Sequence, residues 1–161
     1  MFVSIPIALQ AKFYTLIKSK MRKTGIVLLY VSSILMFIGG LGDQFITHYL
    51  DVHLNYLGNP EDSELFRKAE SLSMLMLHSA GGGLMSAGTS MFALTHFGIR
   101  KNLSWSTWTY LFVALVAQGI NGYGMYSAGS HFWYPIIVLV LAILGILLTL
   151  LFSTTNGQGK N

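Results

Sequence analysis

The sequence predicts an all-α integral membrane four-helix bundle with both termini cytoplasmic, in which helices 1 and 2 extend as a hairpin beyond the outer membrane surface. Three observations predict this fold class. Of the 161 residues, 53% are hydrophobic and 10% are charged, whereas a soluble domain carries about 25% charged residues. The apolar residues are gathered into long blocks, and most basic residues fall at one end of these blocks.

Four segments are long and apolar enough to span a bilayer. A hydrocarbon core of roughly 30 Å needs about 20 mostly apolar residues per helix, and residues 25–46, 72–97, 105–126 and 132–153 meet this requirement. We expect helices because alternation is absent and lipid cannot satisfy the backbone groups of an open sheet edge. The first block follows a basic segment, but its length and the lack of a small-residue cleavage site favour an uncleaved anchor over a signal peptide.

Basic and acidic residues lie at opposite ends of the predicted spans. Eight of the ten basic residues precede the first span, lie between the second and third, or follow the fourth. All six acidic residues fall at the first hairpin. Because basic residues favour the cytoplasmic side, we expect cytoplasmic N- and C-termini and an outer hairpin at residues 47–71. The net charge of +4 then belongs to the inner leaflet, so we expect membrane lipids, and no nucleic acid, as partners.

Both terminal segments are predicted to lie outside the bundle. Residues 1–24 place Ile5, Leu9, Phe13, Leu16 and Ile17 on one helical stripe, with lysines elsewhere. A basic amphipathic helix of this kind is typical of segments that lie on the inner leaflet, and a frayed tail is the alternative. Residues 154–161 are predicted to form a polar tail.

The helices of the first hairpin are predicted to be longer than the membrane is thick. Asn59 is a favourable N-cap, Pro60 suits the first helical position, and acidic residues follow. The second helix is therefore predicted to begin at Pro60 and to end where Gly98 closes it. The first helix is predicted to continue past Ile46 toward Leu57, where it packs against the second.

Small residues let transmembrane helices approach closely. In the second helix they recur every four residues, as Ser79, Gly83, Ala87 and as Gly82, Ser86, Ser90. Glycines are similarly grouped in the first and third helices, as Gly39, Gly40, Gly42 and as Gly119, Gly122. We predict that these groups form the contact surfaces between helices.

Polar side chains collect near the outer ends of the four predicted spans. They are Asp43, Gln44, His48, His78, Gln118, Asn121 and His131. Antiparallel threading brings these ends to one side of the membrane, and ionisable residues within spans are functional candidates. The sequence therefore predicts an outward-facing polar pocket, in which Gln44, Gln118 and Asn121 supply amide groups.

Imidazole and carboxylate groups make this pocket a candidate metal site. Asp43, His48, His78 and His131 are residue types that bind transition metals, with Glu70 behind them. Two facing imidazoles also bind haem b, and His78 with His131 is the candidate pair. The chain has no cysteine, which excludes thiolate metal sites, iron–sulfur clusters and covalently attached haem.

These polar residues also have a structural interpretation. Gln44, His48, Asp51 and Asn55 have the spacing of a solvated helix face. For His78 the structural interpretation is a hydrogen bond between its imidazole and a polar group on a neighbouring helix. No spacing in the set is diagnostic of a metal site.

Sequence motifs for catalysis are absent, including the zinc-protease, nucleophile-elbow and phosphate-loop signatures. We therefore expect an accessory or structural subunit of a larger membrane complex, with other subunits or a second copy as partner, rather than an enzyme acting alone. The alternative is a metal- or haem-binding membrane protein, such as an oxidoreductase, with an outward-facing His/Asp pocket. The third hypothesis is a carrier or lipid-handling protein whose pocket takes a polar headgroup.

Overall fold

The computed structural model describes residues 7–58, 60, 63–127, 129 and 133–153. Within these residues every regular element is helical, which confirms the all-α class. The α-helices are α1 (Ile7–Asp43), α2 (Asp51–Tyr56), α3 (Glu64–Ala93), α4 (Ser104–Ser127) and α5 (Trp133–Leu151). A π-helical turn, Leu94–Gly98, and a 3-10 turn, Ile99–Lys101, continue the chain after α3.

Two helices are long and apolar enough to cross a membrane by length and composition. They are Phe13–Asp43 within α1, with a mean hydropathy of 2.1, and α5, with a mean hydropathy of 2.8. α3 and α4 are also long, but serine, threonine and glycine lower their hydropathy, so composition does not mark them as spans among the described residues. Composition therefore supports the first and last of the four predicted spans.

The long α1 helix forms the centre of the molecule. α3 packs against one side of α1, and α5 packs against another. α4 packs against α5 and against the π-helical turn after α3, while it touches α3 itself much less. This arrangement leaves space between α3 and α4 away from the π-helical turn.

α1 ends at Asp43, so the prediction that the first helix continues toward Leu57 is wrong. The side chain of His78 on α3 donates a hydrogen bond from Nε2 to the carbonyl oxygen of Ile46, at 2.8 Å. This bond holds the chain against α3 in a non-helical conformation, and the short α2 follows separately.

α3 begins at Glu64 rather than at the predicted Pro60, which is not helical. Ser63 is the N-cap, and its Oγ accepts a hydrogen bond from the backbone N–H of Phe66 at 3.1 Å. A serine oxygen here satisfies one of the free N–H groups of the first turn, which sets the start of the helix. The predicted cap, Asn59, lies outside the described residues.

The prediction that Gly98 closes the second helix is also wrong. Gly98 has a right-handed conformation, and the left-handed residue that ends the helical path is Asn102, with φ 61°. Gly98 has a packing role instead, because a Cβ atom there would collide with the side chain of Ser106. Its missing side chain lets the start of α4 approach the π-helical turn.

α1 and α3 pack through small residues spaced seven positions apart, not four. The row on α3 and the π-helical turn consists of the buried residues Met74, Gly81, Gly88 and Thr95, of which Gly81 and Gly88 are the small residues in contact with α1. Met91 of α3 is also buried. A Cβ atom on Gly88 would lie 2.7 Å from the nitrogen of Phe37 and 2.8 Å from the oxygen of Ser33. A Cβ atom on Gly82 or Gly83 would meet no atom within 4 Å. The four-residue rows predicted through these two glycines therefore do not form the contact between α1 and α3. Seven residues are close to two helical turns, so Gly81 and Gly88 both face α1.

Another seam joins α1 to α5 and α4. A Cβ atom on Gly145 of α5 would lie 3.0 Å from the carbonyl oxygen of Gly25. Tyr110 of α4 is fully buried, and its hydroxyl donates to the carbonyl oxygen of Leu29 at 2.8 Å. These contacts place the main core between α1, α4 and α5.

Residues 7–24 form one continuous helix with the rest of α1. The Arg22 guanidinium group donates to the carbonyl oxygens of Ile99 and Arg100, at 3.3 and 3.2 Å, and to Oδ1 of Asn102 at 2.7 Å. Before this contact the large apolar side chains are exposed: Phe13, Tyr14, Leu16 and Ile17. Residues 1–6 and the predicted polar tail at 154–161 lie outside the described residues.

Candidate functional site

A cavity of about 710 Å³ lies between α3 and α4. Its apolar walls come from α1, α3 and α4: Met36, Leu77, Leu84, Val116, Ile120 and Met125. We call this space the α3–α4 cavity. Its volume falls within the range of about 300–1,000 Å³ that is typical of small-molecule sites.

Three of the predicted pocket residues line this cavity. Asp43 is at the end of α1, and Gln118 and Asn121 lie one turn apart on α4. Gln118 is only 2% exposed, and its Oε1 has no hydrogen-bond partner. A buried acceptor without a partner costs about 1–3 kcal/mol.

Tyr134 forms part of the wall from the α5 side. Its ring lies against Gly39, where a Cβ atom would be 2.8 Å from the ring, and its hydroxyl donates to the carbonyl oxygen of Leu35. Sequence reasoning did not select Tyr134 for the site. The only sequence signal for this contact is the glycine at position 39, one turn before Asp43 on α1. A glycine indicates that another group packs closely there, but it does not identify that group as Tyr134.

Two glycines keep the cavity open. A Cβ atom on Gly83 of α3 or Gly124 of α4 would meet no atom within 4 Å, and both residues line the cavity. The neighbouring Gly82 has equally open surroundings but does not line the cavity. Gly83 and Gly82 are therefore a matched pair of positions for altering the cavity.

His53 also lines the cavity, although the sequence does not single it out. Its Nδ1 accepts a hydrogen bond from the backbone N–H of Leu50 at 3.1 Å. Its ring packs edge-on against Tyr49, with 5.7 Å between the ring centroids.

The predicted metal ligands do not line one common cavity. Asp43 lines the α3–α4 cavity, whereas His48 and His78 line a different hollow of about 270 Å³. His131 lies outside the described residues. Among the residues that the structure describes, no three His, Asp or Glu side chains come close enough to hold a metal ion. The candidate metal set and the His78–His131 haem pair therefore have no support here.

The smaller hollow has structural contacts that hold the 44–50 segment on α3. The Nε2 of Gln44 donates to the carbonyl oxygen of His78 at 2.8 Å. Glu70, predicted to stand behind the metal ligands, accepts from the backbone N–H of Tyr49 at 2.9 Å and lies 3.7 Å from Nδ1 of His48. The imidazole of His48 is 82% exposed. These side chains tie a turn to a helix.

Comparison of the chain with protein-family models, with curated proteins and with solved structures finds no match. The α3–α4 cavity joins apolar walls to a carboxylate and two amides. Its chemistry is suited to a molecule that is apolar over most of its length and polar at one end.

Proposed function

We propose that the chain crosses the membrane four times with both termini in the cytoplasm, and that it binds an amphipathic molecule in the α3–α4 cavity. This is the carrier or lipid-handling class that the sequence ranks third. The observation that carries it is a cavity of about 710 Å³ between two helices that are anchored elsewhere.

The distribution of polar and apolar side chains supports the membrane setting. Ser32, Ser33, Gln118 and Thr149 are at most 5% exposed. Large apolar side chains face outward on three helices, including Ile38, Phe112, Ile137 and Leu151. A water-soluble protein rarely exposes contiguous apolar surface of this kind, whereas lipid favours polar groups between the helices and apolar groups on the outside.

The absence of cysteine gives a direct test of the orientation. Single variants His48→Cys and Lys101→Cys place a thiol at an exposed residue on each side of the proposed bundle. With a membrane-impermeant maleimide on intact cells, we expect labelling of the first variant and none of the second until the cells are permeabilised. Equal labelling of both in intact cells would exclude this threading.

The matched glycines test the binding function. In Gly83→Leu the new side chain enters the α3–α4 cavity, while in Gly82→Leu it enters open space elsewhere. Both changes improve helix propensity equally. With radiolabelled dodecanol and the protein in phosphatidylcholine nanodiscs, we expect saturable binding that Gly83→Leu weakens by about tenfold, or about 1.4 kcal/mol. Binding that both variants leave unchanged would overturn the proposal.

The accessory-subunit function that the sequence ranks first remains a second proposal, supported by the exposed start of α1. Phe13, Leu16 and Ile17 are 64%, 54% and 39% exposed. If they bind another subunit, the chain purified from its native membrane has a larger mass than its monomer, with one additional chain in fixed ratio. Phe13→Ser with Ile17→Ser should then return it to the monomer mass, and a wild-type monomer would exclude this function.

A further inference from the structure

We propose that an anionic phospholipid binds on the surface between α1 and α3, with its phosphate at Arg100 and one acyl chain in a hollow beside Phe92. We call this surface the α1–α3 groove, and it consists of Tyr30, Ile34, Phe37, Thr89, Phe92, His96 and Arg100. The proposal is independent of ligand binding in the α3–α4 cavity. From the proposed function it takes only the membrane setting.

Three polar side chains meet where the π-helical turn passes α1. The hydroxyl oxygen of Tyr30 lies 3.1 Å from Nδ1 of His96, and Nη1 of Arg100 lies 3.4 Å from the same nitrogen. His96 and Arg100 are both exposed. A guanidinium group has five N–H donors, and its planar fork matches the oxygens of a phosphate group. The contact with His96 therefore positions an exposed arginine that can bind a phosphate.

The end of the bundle that carries Arg100 is rich in cations. Arg22 lies beside it, with Nη2 3.2 Å from the Arg100 carbonyl oxygen, and Lys23 is exposed on the next position of α1. All six acidic side chains of the sequence fall between positions 43 and 70, and Asp43 is about 20 Å from Tyr30 along α1. Basic pockets between transmembrane helices bind anionic lipid headgroups. The charge at this end therefore favours an anionic headgroup.

A hollow of about 170 Å³ provides space for an acyl chain next to these polar groups. Phe92 joins the two parts, because it lines the hollow and its ring centroid is 4.8 Å from that of Tyr30. Ile34 and Phe37 line the hollow about 6 and 10 Å beyond Tyr30 along α1, on the side away from Arg100. Phosphate site and apolar hollow thus follow one another as headgroup and chain do in a lipid. This order favours a phospholipid over a soluble phosphate.

Two lipids with identical acyl chains test the headgroup. They are palmitoyl-oleoyl phosphatidylglycerol and palmitoyl-oleoyl phosphatidylcholine, and native mass spectrometry of the full chain in dodecyl maltoside micelles measures the binding of each. We expect phosphatidylglycerol to bind about tenfold more tightly, because choline adds a positive charge beside the basic residues. Equal binding of the two lipids would overturn the proposal. Displacement of phosphatidylglycerol by 1 mM glycerol 1-phosphate, which has no acyl chain, would also overturn it.

Arg100→Gln tests the position of the phosphate, and Lys18→Gln is the control with the same change in charge. Lys18 lies about 18 Å before Tyr30 on α1. We expect Arg100→Gln to weaken phosphatidylglycerol binding by about tenfold and Lys18→Gln to leave it within about twofold of the wild type. Equal weakening by the two variants would indicate diffuse attraction to the basic end and would exclude a site at Arg100.

Thr89→Trp tests the position of the acyl chain, because Thr89 is exposed and lines the hollow. Thr109→Trp on α4 is the matched control. Both threonines are exposed, and each donates from Oγ1 to the carbonyl oxygen four residues earlier, at 2.9 Å. We expect Thr89→Trp to weaken both lipids at least about threefold, since the chain loses its contacts in the hollow, and Thr109→Trp to weaken neither.

Gly83→Leu separates this proposal from the binding function of the α3–α4 cavity. It should leave phosphatidylglycerol binding unchanged while it weakens dodecanol. If Gly83→Leu weakens phosphatidylglycerol and Thr89→Trp does not, the lipid occupies the α3–α4 cavity and the groove assignment is wrong. Loss of the dodecanol result, or of the maleimide result, would leave the binding of phosphatidylglycerol in micelles as a separate measurement of the groove.

Discussion

The contact between α1 and α3 gives a quantitative prediction through two glycines on one helix. Gly88→Ala adds a Cβ atom that would lie 2.7, 2.8 and 3.1 Å from three backbone atoms of α1. Ordinary contact begins near 3.4 Å, so the helices must separate by roughly 0.7 Å. Overpacking of this kind costs about 1–3 kcal/mol, and the gain in helix propensity offsets about 1 kcal/mol of it. We expect Gly88→Ala to lower the free energy of unfolding by up to about 2 kcal/mol.

Gly82→Ala is the matched control, because its Cβ atom meets nothing within 4 Å. It receives the same propensity gain without a clash, so we expect it to raise the free energy of unfolding by about 1 kcal/mol. Both values are measurable by circular dichroism during unfolding in mixed micelles of dodecyl maltoside and sodium dodecyl sulfate. Equal shifts of the two variants in the same direction would refute the seven-residue contact row.

Three further predictions concern single hydrogen-bonding groups. Tyr110→Phe removes the hydroxyl that donates to the Leu29 carbonyl, and we expect the free energy of unfolding in micelles to fall by about 1 kcal/mol; an unchanged value would contradict this. Arg22→Met removes the donors to the turn at residues 99–102, so amide hydrogen exchange of that turn should speed up while exchange in α5 stays constant. Ser63→Ala removes the N-cap of α3, which should cost about 1 kcal/mol and expose the Phe66 amide to exchange; protection equal to that of the wild type would show that another group caps the helix.

Helix content was predictable because it follows from composition and local pattern, but helix ends were less so. The first predicted span, 25–46, overlaps an α1 that ends at Asp43. The difference arises from a tertiary hydrogen bond, since His78 reaches the Ile46 carbonyl from another helix. At the start of α3, Ser63 and Asn59 are both good caps by residue type. Local sequence does not rank two such caps, and the helix begins after Ser63.

The positions of the predicted site residues have a similar explanation. Amides one turn apart on an apolar helix, such as Gln118 and Asn121, must point to the same side, and that side lines the cavity. Histidine is harder to place, because its ring binds a backbone carbonyl as readily as a ligand. His78 does so, and this contact also removes it from the cavity that Asp43 lines. Only the relative rotation of α1 and α3 distinguishes these cases, and a single sequence does not contain it.

The period of the small residues on α3 accounts for the cavity itself. The seven-residue row through Gly81 and Gly88 turns one face of α3 to α1, which directs Ala80 and Gly83 toward the space beside α4. Small residues usually draw two transmembrane helices together. Here α4 cannot follow, because Tyr110 and the contact at Gly98 hold it to α1 and to the π-helical turn. Two small-residue faces are thereby held apart, and the space between them stays open because neither helix is free to close it.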